Sequence, residues 1–228
     1  MKPISDIRLY RNNIPNIDGN PHPSEFASKQ LNIIVTRIVM KLRENRFSLG
    51  DYDHLYINFT TCLLSGEIEP AKRSVDAYHK WYRYYDVGVT DECYRKLGRG
   101  NCIDFVVEQL RNVLNAYFRT ETNCPVEPCI EEAITKGEDM LMLYKSKQTS
   151  KRKADIYLQL LDNGMYCPNL FVYDQDGAEL LHQKLPCTLD LTSLGEIQLS
   201  SKKVVVKPRN NSLASQLEPL EFELNKNE

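Results

Sequence analysis

The stretch Tyr78-His79-Lys80-Trp81-Tyr82-Arg83-Tyr84-Tyr85-Asp86, continuing as Val87-Gly88-Val89, decides how the first half of this chain is read. Five of its first nine residues are aromatic, and it holds the only tryptophan in the sequence. With a period of two, Val75, Ala77, Trp81, Tyr85 and Val87 share one face. With a period of 3.6, Val75, Tyr78, Tyr82 and Tyr85 do. Periodicity leaves both open. Tyr and Trp favour strands, and a strand precedes the segment, so a strand is expected here. Aromatic and Arg side chains also dominate protein–protein hot spots, which makes Tyr78, His79, Lys80, Trp81, Tyr82, Arg83, Tyr84, Tyr85 and Asp86 a candidate partner-binding segment. The bland reading of the same residues is an ordinary aromatic core.

Working outward, Tyr52–Leu64 alternates and carries β-branched and aromatic residues, the pattern of a strand, and Gly66 and Pro70 end it. Upstream, Leu31, Ile34, Val35, Ile38, Val39 and Leu42 recur on one helical face, predicting a helix over 24–45 with Ser24 as N-cap. Downstream, Ile103, Val106, Val107, Leu110, Val113 and Leu114 predict a second helix over 101–118, capped by Asn101. A third is expected from Pro128 to Lys145, with Gly137 as a weak point. Lys145, Lys147, Lys151, Arg152 and Lys153 read as a basic connector. Beyond it, Asn163-Gly164 and Asp176-Gly177 mark tight turns between Ile156–Leu161, Leu170–Tyr173 and Ala178–Leu185. Short strands at Ile197–Leu199 and Lys203–Lys207 complete an antiparallel sheet, and the polar tail after Pro208 is expected to fray. The expected class is α+β, with helices concentrated in the N-terminal two thirds and antiparallel strands in the C-terminal third. The expected divisions are 1–150, 151–208 and a tail over 209–228.

Hydrophobic residues make up 42% and charged residues 26% of 228, enough for a real core, which argues against disorder outside the ends. A net charge of −2 lends no bulk support to nucleic-acid binding. The N-terminus lacks the apolar region of a secretory signal, and the most apolar stretch, Ile33–Val39, falls far short of the roughly 20 residues of a membrane span. Seven scattered cysteines without an export signal imply free thiols in a reducing cytoplasm.

Chemistry-bearing groupings are thin. Asp51, Asp53 and His54 are potential metal ligands, but neighbours on a strand point to opposite faces, so a polar strand start is the simpler account. Cys124 and Cys129 have no second pair to close a zinc site. Cys93 or Cys102 with His79 and Asp76 or Asp86 has the residue types for nucleophilic catalysis without a local signature. Asp174–Glu179 lacks the later ligands of a calcium loop, and Gly98-Arg99-Gly100 lacks the lysine and spacing of a phosphate loop. No metal or cofactor is therefore expected. Arg73, His79, Lys80, Arg83, Arg95, Lys96 and Arg99 among the aromatics have the character of an RNA-binding surface, diluted by Asp76, Asp86, Asp91 and Glu92.

Asn58–Val89, reading NFTTCLLSGEIEPAKRSVDAYHKWYRYYDVGV, with its continuation to Phe118 and the stretch ADIYLQLLDNGMYCPNLFVYD at Ala154–Asp174, resembles predicted immunity proteins of bacterial polymorphic-toxin systems. The resemblance implies a cytoplasmic, non-enzymatic protein that binds a cognate toxin domain and blocks it sterically. It carries no family motif for toxin-contact residues. The alternatives are an intracellular hydrolase or nuclease built around Asp51–His54 or Asp76–Asp86, and an RNA-binding accessory protein.

Overall fold

Ile7 and Leu9 point one way and Arg8 and Tyr10 the other, the alternation that makes Asp6–Arg11 the first strand, β1, of the computed structural model. The structure describes residues 2–21, 26, 28–72, 80–97 and 102–224. The chain divides into two compact units, Met1–Gly137 and Glu138–Glu228.

In the first unit, β1 is followed by α1 (Lys29–Glu44), β2 (His54–Thr60), β3 (Ile68–Pro70), β4 (Tyr82–Gly88), α2 (Asp91–Leu97), α3 (Ile103–Phe118) and α4 (Val126–Lys136). The sheet order is β1-β2-β4-β3. β1, β2 and β4 run parallel, and the short edge strand β3 is antiparallel to β4. Parallel neighbours need a crossover, and α1 supplies the one between β1 and β2. Ser28 caps α1, its Oγ accepting from the amide of Leu31 at 3.2 Å, and Lys41 and Arg43 complement the dipole at the far end. Ser24, the expected cap, lies outside the described residues, as does Asn101, the cap expected for α3.

One face of this sheet carries Leu9, Leu55, Ile57, Phe59 and Val87, all sealed from water. α3 lies against it, with Phe105 of α3 6.3 Å from the Phe59 ring and Phe118 5.6 Å from the Tyr85 ring. α1 packs on β1 and on α4. The register puts Arg8, Tyr56 and Tyr84 abreast on the opposite face, with Tyr10, Asn58 and Asp86 in the next row.

The second unit holds two antiparallel sheets. β5 (Met142–Gln148), β6 (Arg152–Leu160), β7 (Tyr166–Asp174) and β8 (Glu179–Lys184) form a meander, while β9 (Ile197–Leu199), β10 (Lys203–Val206) and β11 (Leu220–Glu223) pair in the order β11-β10-β9. Ala154, Ile156, Leu158, Leu170 and Val172 form the buried side of the meander. Gly164 (φ 86°) and Gly177 (φ 85°) make its tight turns. The Asp174 carboxylate accepts from the amides of Asp176 and Ala178 at 2.9 Å, the work of a hairpin turn.

Several expectations need correcting. Strand makes up about 32% of the described structure and helix about 27%, and strands run through the whole chain instead of gathering in its C-terminal third. The third helix stops at Lys136 because Gly137 adopts φ 49°, and Met142–Gln148 continues as a strand. The basic connector is therefore mostly strand: Lys145 and Lys147 belong to β5, Arg152 and Lys153 to β6. The tail after Pro208 does not simply fray, since a 3-10 turn at Ser212–Ala214 leads to β11, which pairs with β10. Two of the seven cysteines are also paired. Tyr166 and Thr188 exchange backbone hydrogen bonds of 2.8 and 2.9 Å, which sets Cys167 opposite Cys187 at a Cα–Cα distance of 4.2 Å, and the two form a disulfide.

Candidate interaction site

The aromatic stretch enters the first unit as the N-terminal end of β4 and the turn before it. Tyr78 and His79 lie outside the described residues. Lys80 is exposed in the turn. Trp81 keeps 44% of its surface in solvent although its backbone is firmly held. Its carbonyl accepts from the amides of Asp53 and His54 at 3.0 and 2.9 Å, which ties the start of β4 to the start of β2.

From Tyr82 onward, alternation splits the segment between the two faces of the sheet. Tyr82, Tyr84 and Asp86 fall on the face away from the helices. There Tyr82 stacks on Tyr56 (centroids 4.8 Å apart, planes 15° apart), and Tyr84 meets Tyr10 and Tyr56 edge-on at 5.1 Å. Arg8 sits over the Tyr56 ring at 5.6 Å. Tyr10, Tyr56 and Tyr84 are buried and Tyr82 half-buried, with Ala71 packed against the group. Asp86, 1% exposed, takes a hydrogen bond from Asn58 Nδ2 at 3.0 Å, and Asn58 also donates to Asn12 Oδ1 at 3.2 Å.

Arg83 and Tyr85 fall on the helix-covered face. The Tyr85 hydroxyl lies 3.1 Å from that of Tyr52, and its ring meets Tyr117 at 4.7 Å. The Arg83 guanidinium donates to the carbonyls of Lys80 (3.1 Å) and Tyr82 (2.8 Å) and lies over the Tyr52 ring at 5.1 Å. Asp51 approaches it at 3.7 Å. Of the described candidates, Tyr84, Tyr85 and Asp86 are thus core residues, while Lys80, Trp81, Arg83 and part of Tyr82 reach solvent.

Arg8, Tyr10 and Tyr56 share this site but were not singled out from the sequence. Their signal was local, since Arg8 and Tyr10 alternate with Ile7 and Leu9, yet only the parallel register brings them to β4.

Burial raises the tyrosine hydroxyls. Tyr56 is pushed up to about 12, against the opposing pull of the Arg8 cation, and burial drives Tyr84 and Tyr52 higher still. These are rings held neutral, suited to stacking and hydrogen bonding.

The enzyme-like groupings take other forms. His54 Nδ1 and Asp53 Oδ1 are 2.7 Å apart, bonded to each other. Among the described residues no three His, Cys, Asp or Glu side chains gather to hold a metal ion. Burial pushes the Cys102 thiol up, opposite to the shift that activates a nucleophile. Burial likewise pushes Cys129 up to about 12, with Cys124 adding to it. Asp76 and Gly98-Arg99-Gly100 lie outside the described residues. No helix among the described residues is long and apolar enough to cross a membrane. No family model, curated protein or solved structure matches the chain.

Proposed function

We propose that this chain is a non-catalytic protein-binding module that blocks a cognate bacterial toxin domain by covering it. The observation that carries the reading is Trp81, a large aromatic side chain left 44% exposed in a turn whose carbonyl is held by the two amides that open β2. An exposed ring on a rigid element presents contact area with little conformational freedom left to lose on binding. Arg83 beside it, splayed over Tyr52 and held by two carbonyls, offers a preorganised cation for a carboxylate on the partner. Lys80 extends this surface at the turn, while Tyr82 belongs to the tyrosine cluster on the other face of the sheet. The resemblance of Asn58–Val89 to predicted immunity proteins suggests the class of partner.

The test pairs the protein with candidate toxin domains drawn from its gene neighbourhood, measuring affinity by calorimetry and toxin activity against molar ratio. Inhibition saturating at one molecule per toxin is expected. Trp81→Ala should weaken binding about thirtyfold, the loss of a hot-spot aromatic, with the thermal midpoint unchanged. A folded W81A protein that binds as tightly as wild type removes the anchor, and wild type that fails to inhibit removes the function.

The hydrogen bond between Asp53 and His54 favours one second reading, a hydrolase in which His54 takes a proton and Asp53 orients it. Turnover of a defined substrate that His54→Ala abolishes in a folded protein would establish that reading in place of the first.

A further inference from the structure

Four cations of the second unit, Lys145 and Lys147 from β5 and Lys207 and Arg209 from the segment after β10, line one pocket of about 630 Å³. Glu196 is the one carboxylate in the lining. Among the described residues none of the four cations makes an ion pair, although Lys41, Lys96, Lys136, Lys153 and Lys203 all do. The frame behind them is braced. Lys145 Nζ donates to the carbonyl of Gly195, and the Arg209 guanidinium donates to the hydroxyl of Tyr144. Backbone bonds run from Gly195 N to Lys207 O (2.7 Å), from Lys207 N to Glu196 O (2.8 Å) and from Arg209 N to Thr192 O (2.7 Å). The two segments approach so closely that a Cβ on Gly195 would lie 2.2 Å from the carbonyl oxygen of Pro208.

Like charges gathered in one pocket raise the free energy of the empty site, and an anion lowers it; outside the lining, Asp190 offsets part of the Arg209 charge. The state of Lys145 agrees with this. Burial and then the Arg209 cation hold its ammonium below the ordinary lysine range. Ile197 and Pro208 are the apolar residues of the lining. The pocket is an open depression and not an enclosed cavity, so a ligand there keeps part of its surface in water. Four cations against one carboxylate match a chain of phosphates better than a single one.

We propose that this pocket binds the phosphate chain of a small polyphosphorylated ligand. Lys145 and Arg209 hold the inner phosphate, where their own contacts fix them, and Lys147 and Lys207 reach the outer one.

Calorimetry of the full-length protein with tripolyphosphate tests this directly. One site is expected, with affinity falling as salt is raised. Arg209→Glu should weaken it by at least about tenfold, as the loss of a charge-assisted contact does. Lys184→Glu, an equal charge change on β8 outside the pocket, should leave it intact. Adenosine triphosphate serves as the second arm: affinity equal to that for tripolyphosphate means that the phosphates alone are read, and tighter binding means that a nucleoside is read as well. A second readout on the unaltered protein is chemical acetylation, in which tripolyphosphate should slow labelling of Lys145 and leave Lys184 unaffected. Absence of saturable binding, equal losses in R209E and K184E, or no protection of Lys145 would each overturn the proposal.

Discussion

Asn58 and Asp86 stand side by side on adjacent parallel strands, the amide of one donating to the carboxylate of the other at 3.0 Å, with both side chains sealed from solvent. A buried carboxylate is tolerated only while donors surround it. Asn58→Ala removes one donor and is expected to destabilise the first unit by about 1–3 kcal/mol, read from the urea midpoint. Replacing both residues by leucine removes the need along with the donor. The double leucine variant should therefore lose less than the sum of the losses in Asn58→Leu and Asp86→Leu, a coupling that a double-mutant cycle measures. Additive losses would mean that the two groups do not depend on each other.

The buried tyrosines make stability fall at alkaline pH. Tyr52, Tyr56 and Tyr84 all have folded-state values raised above the ordinary 10, chiefly by burial. Above pH 10 the unfolded chain gives up these protons while the folded chain keeps them. The unfolded state then binds fewer protons, and stability falls with pH. Below 10 both states are protonated and the contribution is complete. Unfolding experiments should show no tyrosine-linked loss up to about pH 9 and a decline above 10, shallower in Tyr84→Phe. Tyrosinate absorbance should show a late group of rings that ionises together with unfolding. A stability curve flat to pH 12 would contradict the burial of these rings.

What the sequence allowed to be read follows a physical line. The stripe from Ile103 to Leu114 is local and continuous, so α3 was legible; Asn-Gly and Asp-Gly turns are local too, so the β6–β7 and β7–β8 hairpins were, whereas β5, which no such turn announces, was read as helix and connector. The parallel pairing of β1 with β2 and β4 is not local, and β1, though it alternates, lies where no neighbouring hairpin points to it. In the Tyr78–Asp86 stretch both parities are aromatic, so alternation alone names no inner face. Tyr84 is buried against Tyr10 and Tyr85 against Tyr117, and those partners come from β1 and α3. The exposure of Trp81 depends on where β4 begins, which pattern places least well. The four cations of the pocket in the second unit come from segments about sixty residues apart, read separately as a connector (Lys145, Lys147), the end of a short strand (Lys207) and a tail (Arg209).

The Cys167–Cys187 bond joins β7 to the segment after β8, residues 20 apart, so reduction frees a loop that the oxidised chain keeps closed even when unfolded. Closing a loop of this size is worth about 3 kcal/mol. In a reducing agent the urea midpoint of the second unit should fall by that loss divided by the slope of its transition, while the first unit should not respond. The variant in which both cysteines are serine should match the reduced protein and ignore the reductant. Because the two units are compact separately, probes in each are needed instead of one global midpoint. A transition indifferent to reductant would show that the thiols are not joined in solution.

Gly88, the last residue of β4, meets the turn that follows β2 at backbone distance. Its amide donates to Glu67 O at 2.8 Å and its carbonyl accepts from Gly66 N at 3.0 Å, which fastens the end of β4 to the turn. A Cβ at this position would lie 2.0 Å from the carbonyl oxygen of Leu64 and 2.8 Å from its carbon. The obstacle is main chain, so no rotamer relieves it, and either the turn or the strand end must move. Gly88→Ala should therefore cost about 1–3 kcal/mol or more and loosen the amides of Gly66 and Gly88 in hydrogen exchange. Gly50 provides the control. It has φ 98° with no atom within 4 Å of its absent Cβ, so an alanine there meets backbone strain alone, about 1–2 kcal/mol. Exchange at Gly66 and Gly88 should stay slow in G50A. If G88A keeps the same protection, the strand end and the turn are not fastened as the distances indicate.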